Sequence, residues 1–209
     1  MRSVFRFVAF VFILLCLYTP AHAQEAPKAS DVVQTFYDAL LDTMKQGPEL
    51  GFAGRYQKLE PALTQAFNLP LMARYAVGPA WAKASKEEQT KLVTEFSAFS
   101  IATYASRFTK FEGETFTVIG EKPMQGGKAF MVQTKLTPKD SDPVTLNYLV
   151  RPDEKGNLRI ADVYLDASIS ELATRRSEFS SVIKREGMKA LLDSLAAKVV
   201  HMKEGPKKK

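Results

Sequence analysis

The sequence predicts an α+β domain, with helices packed on one face of a four-stranded antiparallel sheet. Three observations carry this. Apolar residues recur at helical spacing through the first half of the chain. The pattern switches to strict alternation over residues 115–165, broken by short turns. Helical spacing then returns from Ile169 to Val199.

Each element has its own signal. Ser30 is a good N-cap, followed by Val32, Val33, Phe36, Tyr37, Leu40, Leu41 and Met44 on one helical face up to Gly47. Gly51–Leu59 carries only a weak pattern, compatible with a short helix, and Pro61 fits the first turn of a helix running to Phe67. Asn68 can cap a short helix with Leu71, Met72 and Tyr75, ended by Gly78-Pro79. Ser85 and Glu88 form a capping box that opens the longest helix, to about Phe111, with Val93, Phe96, Phe99, Ile101, Tyr104 and Phe108 inward and Gly113 as its stop. Strands follow at Thr115–Gly120 and Lys128–Thr137, joined through Gly126-Gly127. In the second, Phe130, Val132 and Leu136 alternate with Gln133 and Lys135. A third strand has Val144, Leu146, Tyr148 and Val150 on one face, and a fourth spans Leu158–Leu165. Such short connections imply a meander with one covered face and one that meets water. Residues 169–184 read as helix, Gly187 breaks it, and Met188, Leu191, Leu192, Leu195 and Val199 form a last amphipathic helix.

Residues 1–23 read as a signal peptide. Arg2 and Arg6 form a basic start, Val8 to Tyr18 an apolar run too short to span a bilayer, and Ala21-His22-Ala23 a small-x-small cleavage site. The expected mature chain therefore starts at Gln24, and in a bacterium it is periplasmic. Residues 24–202 are expected to form a single domain and 203–209 a basic tail. The formal net charge of +6 mostly reflects the chain ends. Without the signal segment and tail the body is close to neutral, so no nucleic-acid partner is expected. The one Cys, Cys16, lies in the signal segment, leaving His201 as the only His of the mature chain. That excludes disulfides, Cys-based metal sites and Cys nucleophiles, and it speaks against His-dependent catalysis. No metal site or cofactor is expected.

No phosphate-binding, nucleophile-elbow or metalloprotease motif occurs. Asp162 and Asp166 are the best acidic pair, readable as a general base on an apolar substrate. The stronger reading is structural: Asp166 caps a turn, and Asp162 pairs with an arginine. Arg175 and Arg176 offer a bidentate phosphate site. A solvated helix face, or ion pairs with Glu171 or Glu178, explains them equally well. The abundant Phe, Tyr and Met read mainly as an ordinary core. A sheet closed by helices can also enclose a cone-shaped cavity, and core and pocket demand the same side chains.

Two blocks resemble a known family. The stretch Phe67-Asn68-Leu69-Pro70-Leu71-Met72-Ala73-Arg74-Tyr75-Ala76-Val77-Gly78, followed by Trp81, Phe96 and Thr103-Tyr104-Ala105, is similar to the MlaC family of periplasmic phospholipid carriers, also called toluene-tolerance proteins. Asn68 stands where that family has Asp. The second block, Asp162-Val163 and Ile169-Ser170-Glu171-Leu172-Ala173-Thr174-Arg175-Arg176-Ser177-Glu178-Phe179, resembles the hopanoid-associated HpnM branch more closely. The resemblance implies a non-catalytic monomeric carrier that holds a hopanoid or phospholipid by its apolar part. It also implies transient contacts with membrane proteins: an inner-membrane ABC transporter complex with an MCE-domain protein, and an outer-membrane complex. The expected lipid-binding wall comprises Phe130, Val132, Leu146, Tyr148 and Val150 on the sheet, with Met72, Phe96, Phe99, Tyr104, Ile169, Leu172 and Phe179 on the helices. The competing readings are a small enzyme using an Asp base, and an envelope adaptor with a filled core.

Overall fold

The computed structural model describes residues 28–205, so the segment 1–23 expected to be a signal peptide, with Cys16 and His22, and the end of the expected basic tail lie outside the described residues. The helical half comprises α1 (Ala29–Lys45), α2 (Gly47–Ala66), α3 (Leu69–Val77), a 3-10 segment (Gly78–Lys83) and α4 (Lys86–Arg107). The sheet follows: β1 (Thr115–Met124), β2 (Ala129–Thr137), β3 (Val144–Pro152), β4 (Leu158–Leu165) and a two-residue β5 (Ile169–Ser170). Helix α5 (Glu171–Glu204) ends the described chain. The sheet is an antiparallel meander in sequence order with five strands, one more than the alternation predicts. The extra strand is short because a tight hairpin, with Asp166 (φ 48) and Ala167 (φ 62) in the left-handed region, folds Ile169 and Ser170 back onto β4. Two residues carry no periodicity, so they read as the start of the helix that follows.

The caps explain most element boundaries. Asn68 accepts from the Leu71 N–H at 3.1 Å, starting α3. At α4 the capping box is reciprocal: Glu88 N–H to Ser85 Oγ at 3.2 Å and Ser85 N–H to Glu88 Oε2 at 2.8 Å. Ser30 is not the cap of α1. The helix begins at Ala29, and the Ser30 N–H instead donates to Glu121 on β1 at 2.6 Å, tying the first helix to the sheet edge. Pro61 sits inside α2 rather than at a helix start. Pro61 and Gln57, whose carbonyl loses its donor, are both exposed, so the freed carbonyl is open to solvent. The break falls earlier, at Gly51 (φ 59, ψ −174), a conformation that only Gly adopts without strain.

Helix α4 stops at Arg107, short of Phe111 and Gly113. Its terminus is taken up by Arg55 of α2, a buried guanidinium whose Nε donates to the Ala105 carbonyl at 2.8 Å and whose Nη1 donates to the Gly47 carbonyl at 2.8 Å. Gly47 is needed there, because a Cβ would lie 2.1 Å from the Thr109 carbonyl oxygen. Gly187 (φ 87, ψ 171) interrupts α5 where the sequence places a break. The inner sheet face is a set of cross-strand partners: Phe116 with Leu136, Val132 with Tyr148, Thr134 with Leu146, Tyr148 with Val163 and Leu146 with Leu165. Against it pack α1, with Val33, Phe36, Tyr37 and Leu40, and α2, with Leu59 and Leu63, while Phe96 and Phe99 of α4 belong to the same core cluster. None of the described helices is long and apolar enough to cross a membrane.

Candidate functional site

The core does not close completely. Between the inner sheet face and helices α3, α4 and α5 lies a cavity of about 210 Å³. The sheet contributes Phe116, Leu146, Tyr148, Val163 and Leu165. Helices α1 and α2 and the α2–α3 junction contribute Leu40, Leu63, Phe67 and Leu69, and α3 adds Met72. Helix α4 presents Phe96, Phe99, Ser100, Thr103, Tyr104, Arg107 and its cap Phe108, and α5 presents Glu171, Leu172 and Arg175. These residues fall at i, i+3, i+4, i+7, i+8, i+11 and i+12 from Phe96, one stripe of that helix continued into its cap.

Seven of the twelve residues expected in a lipid-binding wall line this cavity: Met72, Phe96, Phe99, Tyr104, Leu146, Tyr148 and Leu172. Five do not. Val132 and Val150 lie on the right strands but are fully buried in the close-packed core. Phe130 packs against the core beside Val150 without reaching the cavity. Phe179 is 2% exposed behind Phe96, with ring centroids 6.4 Å apart and nearly perpendicular. Ile169 is 52% exposed, because the hairpin puts it on β5 rather than on an inward helical face. The alternation leaves out Phe116, Val163 and Leu165. Val163 and Leu165 lie in a strand that was legible, and their pairing with Tyr148 and Leu146 is the signal that finds them.

The cavity lining is mostly apolar, and a buried hydroxyl pair lies next to its Leu146 and Tyr148 without reaching it. Tyr37 Oη and Thr134 Oγ1 are 2.6 Å apart, and Thr134 Oγ1 in turn donates to the Leu146 carbonyl. The Thr134 proton is therefore committed, and Tyr37 is the donor of its bond to Thr134. The rings of Tyr37 and Tyr148 meet edge to face at 5.7 Å. Burial raises the phenol pKa of Tyr37, Tyr104 and Tyr148, so all three stay neutral donors.

Charge gathers where the cavity meets solvent. Among the described residues, Arg107, Glu171 and Arg175 are the charged ones that line it. The Arg175 guanidinium lies 5.0 Å from the Phe99 ring centroid and pairs with Glu178 at 3.2 Å and Glu171 at 4.0 Å. Lys198 Nζ lies 5.6 Å from the same ring. Arg107 is exposed and makes no ion pair among the described residues.

The acidic pair has no place in this cavity. Asp162 is 6% exposed, and its oxygens are used: Oδ1 accepts from Val163 N–H at 2.8 Å and Leu172 N–H at 3.1 Å, and Oδ2 accepts from Ser170 Oγ. Ser170 Oγ then accepts from the Ala173 N–H at 2.8 Å. Asp162 therefore anchors the start of α5 through backbone and hydroxyl donors, and no arginine among the described residues pairs with it. Among the described residues no cluster of acidic or His side chains could hold a metal.

The two sequence blocks meet in space. The Asn68 N–H donates to the Ile160 carbonyl at 2.8 Å, joining the start of α3 to β4. The end of α3 lies against α5, with the Arg176 guanidinium beside Gly78, whose positive φ (53) favours glycine. The blocks thus frame one wall of the cavity. No curated protein matches the chain. Among solved structures it is similar to a phospholipid-binding protein from Ralstonia solanacearum, determined in complex with a phospholipid, with a TM-score of 0.73 at 22% identity over 84% of this chain and 99% of that one. That likeness shows the α+β fold. A profile of the MlaC protein family matches residues 34–197, from α1 through the second part of α5, and spans both blocks and every cavity-lining element: the chain belongs to the MlaC family.

Proposed function

We propose that this chain is a non-catalytic periplasmic carrier that takes one lipid by its apolar part into the cavity and moves it between the inner and outer membranes. The observation that carries this reading is an apolar, solvent-connected cavity inside a member of the MlaC family. Met72, Phe96, Phe99, Tyr104, Leu146, Tyr148 and Leu172 contact the cargo, with Phe116 and Val163 beside them. The cargo is a phospholipid or a hopanoid: the Ralstonia relative was solved with a phospholipid, while the Ile169–Phe179 block is similar to the hopanoid-associated branch. Donor and acceptor are membrane lipid-transport complexes that the carrier meets transiently as a monomer.

The energetics fit a carrier. Burying ~500 Å² of lipid apolar surface contributes about 12 kcal/mol, of which association and ordering costs remove a large part. Retention then needs little polar recognition. The carrier reading is favoured over an Asp-based enzyme because Asp162 is not among the cavity-lining residues and its oxygens accept from Val163, Leu172 and Ser170. The test is detergent-free purification from the protein's own periplasm, followed by lipid extraction and mass analysis. Expected are an intact mass starting at Gln24 and about one lipid per chain. A chain that purifies empty and does not take lipid from vesicles sinks the reading.

A further inference from the structure

We propose that the cavity has a second compartment, which takes the far end of one of the cargo's hydrocarbon chains, and that Phe108 is the leaf between the two. This rests on the carrier reading and adds a subsite that sets how long a chain the protein accepts. A further hollow of about 230 Å³ lies beyond the end of α4, bounded by Met44 of α1, Leu136 of β2, Pro138 after it and the segment between α4 and β1. Arg107, Phe108 and Phe116 line both spaces, so they form the wall between them. The buried side of the hollow suits a hydrocarbon end, with Met44 and Phe116 almost fully buried and Leu136 and Pro138 beside them. On its exposed side the polar groups satisfy one another. Lys110 pairs with Glu112 at 2.6 Å, and Glu114 accepts from the Glu112 N–H at 2.7 Å.

The two rings of the wall differ in freedom. Phe116 is fixed on β1 against the Tyr37 ring, with centroids 4.8 Å apart. Phe108 is half-buried and caps α4 with non-helical backbone (φ −98, ψ 73), which frees its side chain from the rotamer limits of a helix. Its ring stacks on Tyr104 at 5.6 Å and lies 6.2 Å from Phe116. A rotamer change there opens the wall at the cost of one stacked contact. Length makes such an opening useful. The α4 wall from Phe96 to Phe108 runs about 18 Å, the reach of roughly fourteen extended carbons at ~1.25 Å each. A longer chain must fold back, force the helices apart or pass Phe108. The last route buries more apolar surface without displacing packed atoms, so it gains with every methylene.

The experiment uses delipidated protein and displacement of a neutral pyrene-alkane probe by lauroyl, myristoyl, palmitoyl and stearoyl lysophosphatidylcholine. The head group is constant, so only chain length varies. Wild-type affinity is expected to rise about tenfold for each added pair of methylenes, through to stearoyl. Leu136 lines the second compartment and not the first, so Leu136→Trp should stop the rise at myristoyl and keep lauroyl affinity within about twofold of wild type. Phe108→Ala removes the leaf and should raise stearoyl affinity about threefold relative to lauroyl, a gain that misfolding cannot produce. A wild-type affinity that levels off at myristoyl would overturn the second compartment. So would a Leu136→Trp protein that keeps the full rise or loses affinity equally at every length, or a Phe108→Ala protein with no gain at stearoyl. If neither the pyrene-alkane nor the lauroyl lipid binds wild type, the carrier reading falls instead.

Discussion

The phenols of Tyr37, Tyr104 and Tyr148 show how much chemistry a few side chains impose on this core. Each is held neutral by burial, and Tyr37 must keep its proton because Thr134 Oγ1 has already given its own to Leu146. In the unfolded chain a tyrosine ionises near pH 10. Above that pH the unfolded state sheds protons that the folded state retains, so stability is full below pH 10 and falls as pH rises toward the raised folded values. Each buried phenol steepens that fall by up to ~1.4 kcal/mol per pH unit. Urea unfolding followed by circular dichroism between pH 10 and 12 should show the loss. Tyr148→Phe should make the slope shallower by about one phenol's share. An unchanged slope in that variant would mean Tyr148 is not a titrating part of the core.

Elements in this fold are held at their ends by side chains from other elements. Arg55 is the clearest case: a buried cation with no acid partner among the described residues, whose charge is met by the carbonyl end of α4 and the Gly47 carbonyl. Arg55→Met keeps much of the volume but leaves two carbonyls without a donor, and should cost about 2–4 kcal/mol in urea unfolding. Arg55→Lys should recover only part, since one ammonium lacks the fork that serves both. A Met variant within ~0.5 kcal/mol of wild type would show that water satisfies both carbonyls. The contrast between these caps marks what was legible in the sequence. Ser85-Glu88, Asn68 and Gly187 announce themselves because their partners lie within a turn or because their conformation demands one residue type. Arg55 does not, because both carbonyls it serves are fixed only by the packing of α2 on α4. The same limit hid Ile169, whose side chain is turned outward by a hairpin with no glycine in it. It also hid the start of α1, where Ser30 looks like a cap and serves as a tether to Glu121 instead.

At the scale of the molecule the question is which part of the core is space. Alternation and helical periodicity say which face turns inward, and they placed Val132, Val150 and Phe179 inside correctly. They do not say which apolar layer is filled, because that depends on how far α4 and α5 stand from the sheet. The cavity of about 210 Å³ is only modestly larger than the ~150 Å³ engineered cavity that holds a benzene ring, so a whole lipid requires its walls to part. The first part of α5 is the wall best suited to move. It is entered through the left-handed pair Asp166-Ala167 and leaves through the Gly187 break, while Asp162 holds its first turn. Two tryptophan substitutions separate filled core from open cavity. Ser100 lines the cavity, so Ser100→Trp puts an indole into existing space and should leave unfolding free energy within ~1 kcal/mol of wild type. Bound lipid, measured after extraction, should fall severalfold because the indole occupies its place. Val132 is fully buried opposite Tyr148 and away from the cavity, so Val132→Trp must force neighbours off their rotamers at ~1–3 kcal/mol or more. If Ser100→Trp were destabilised as strongly as Val132→Trp, the space beside α4 would not be free to receive a ligand. If it kept both stability and lipid, the cargo would lie elsewhere, and the stripe from Phe96 to Arg107 would lose its role as the wall that lipid touches.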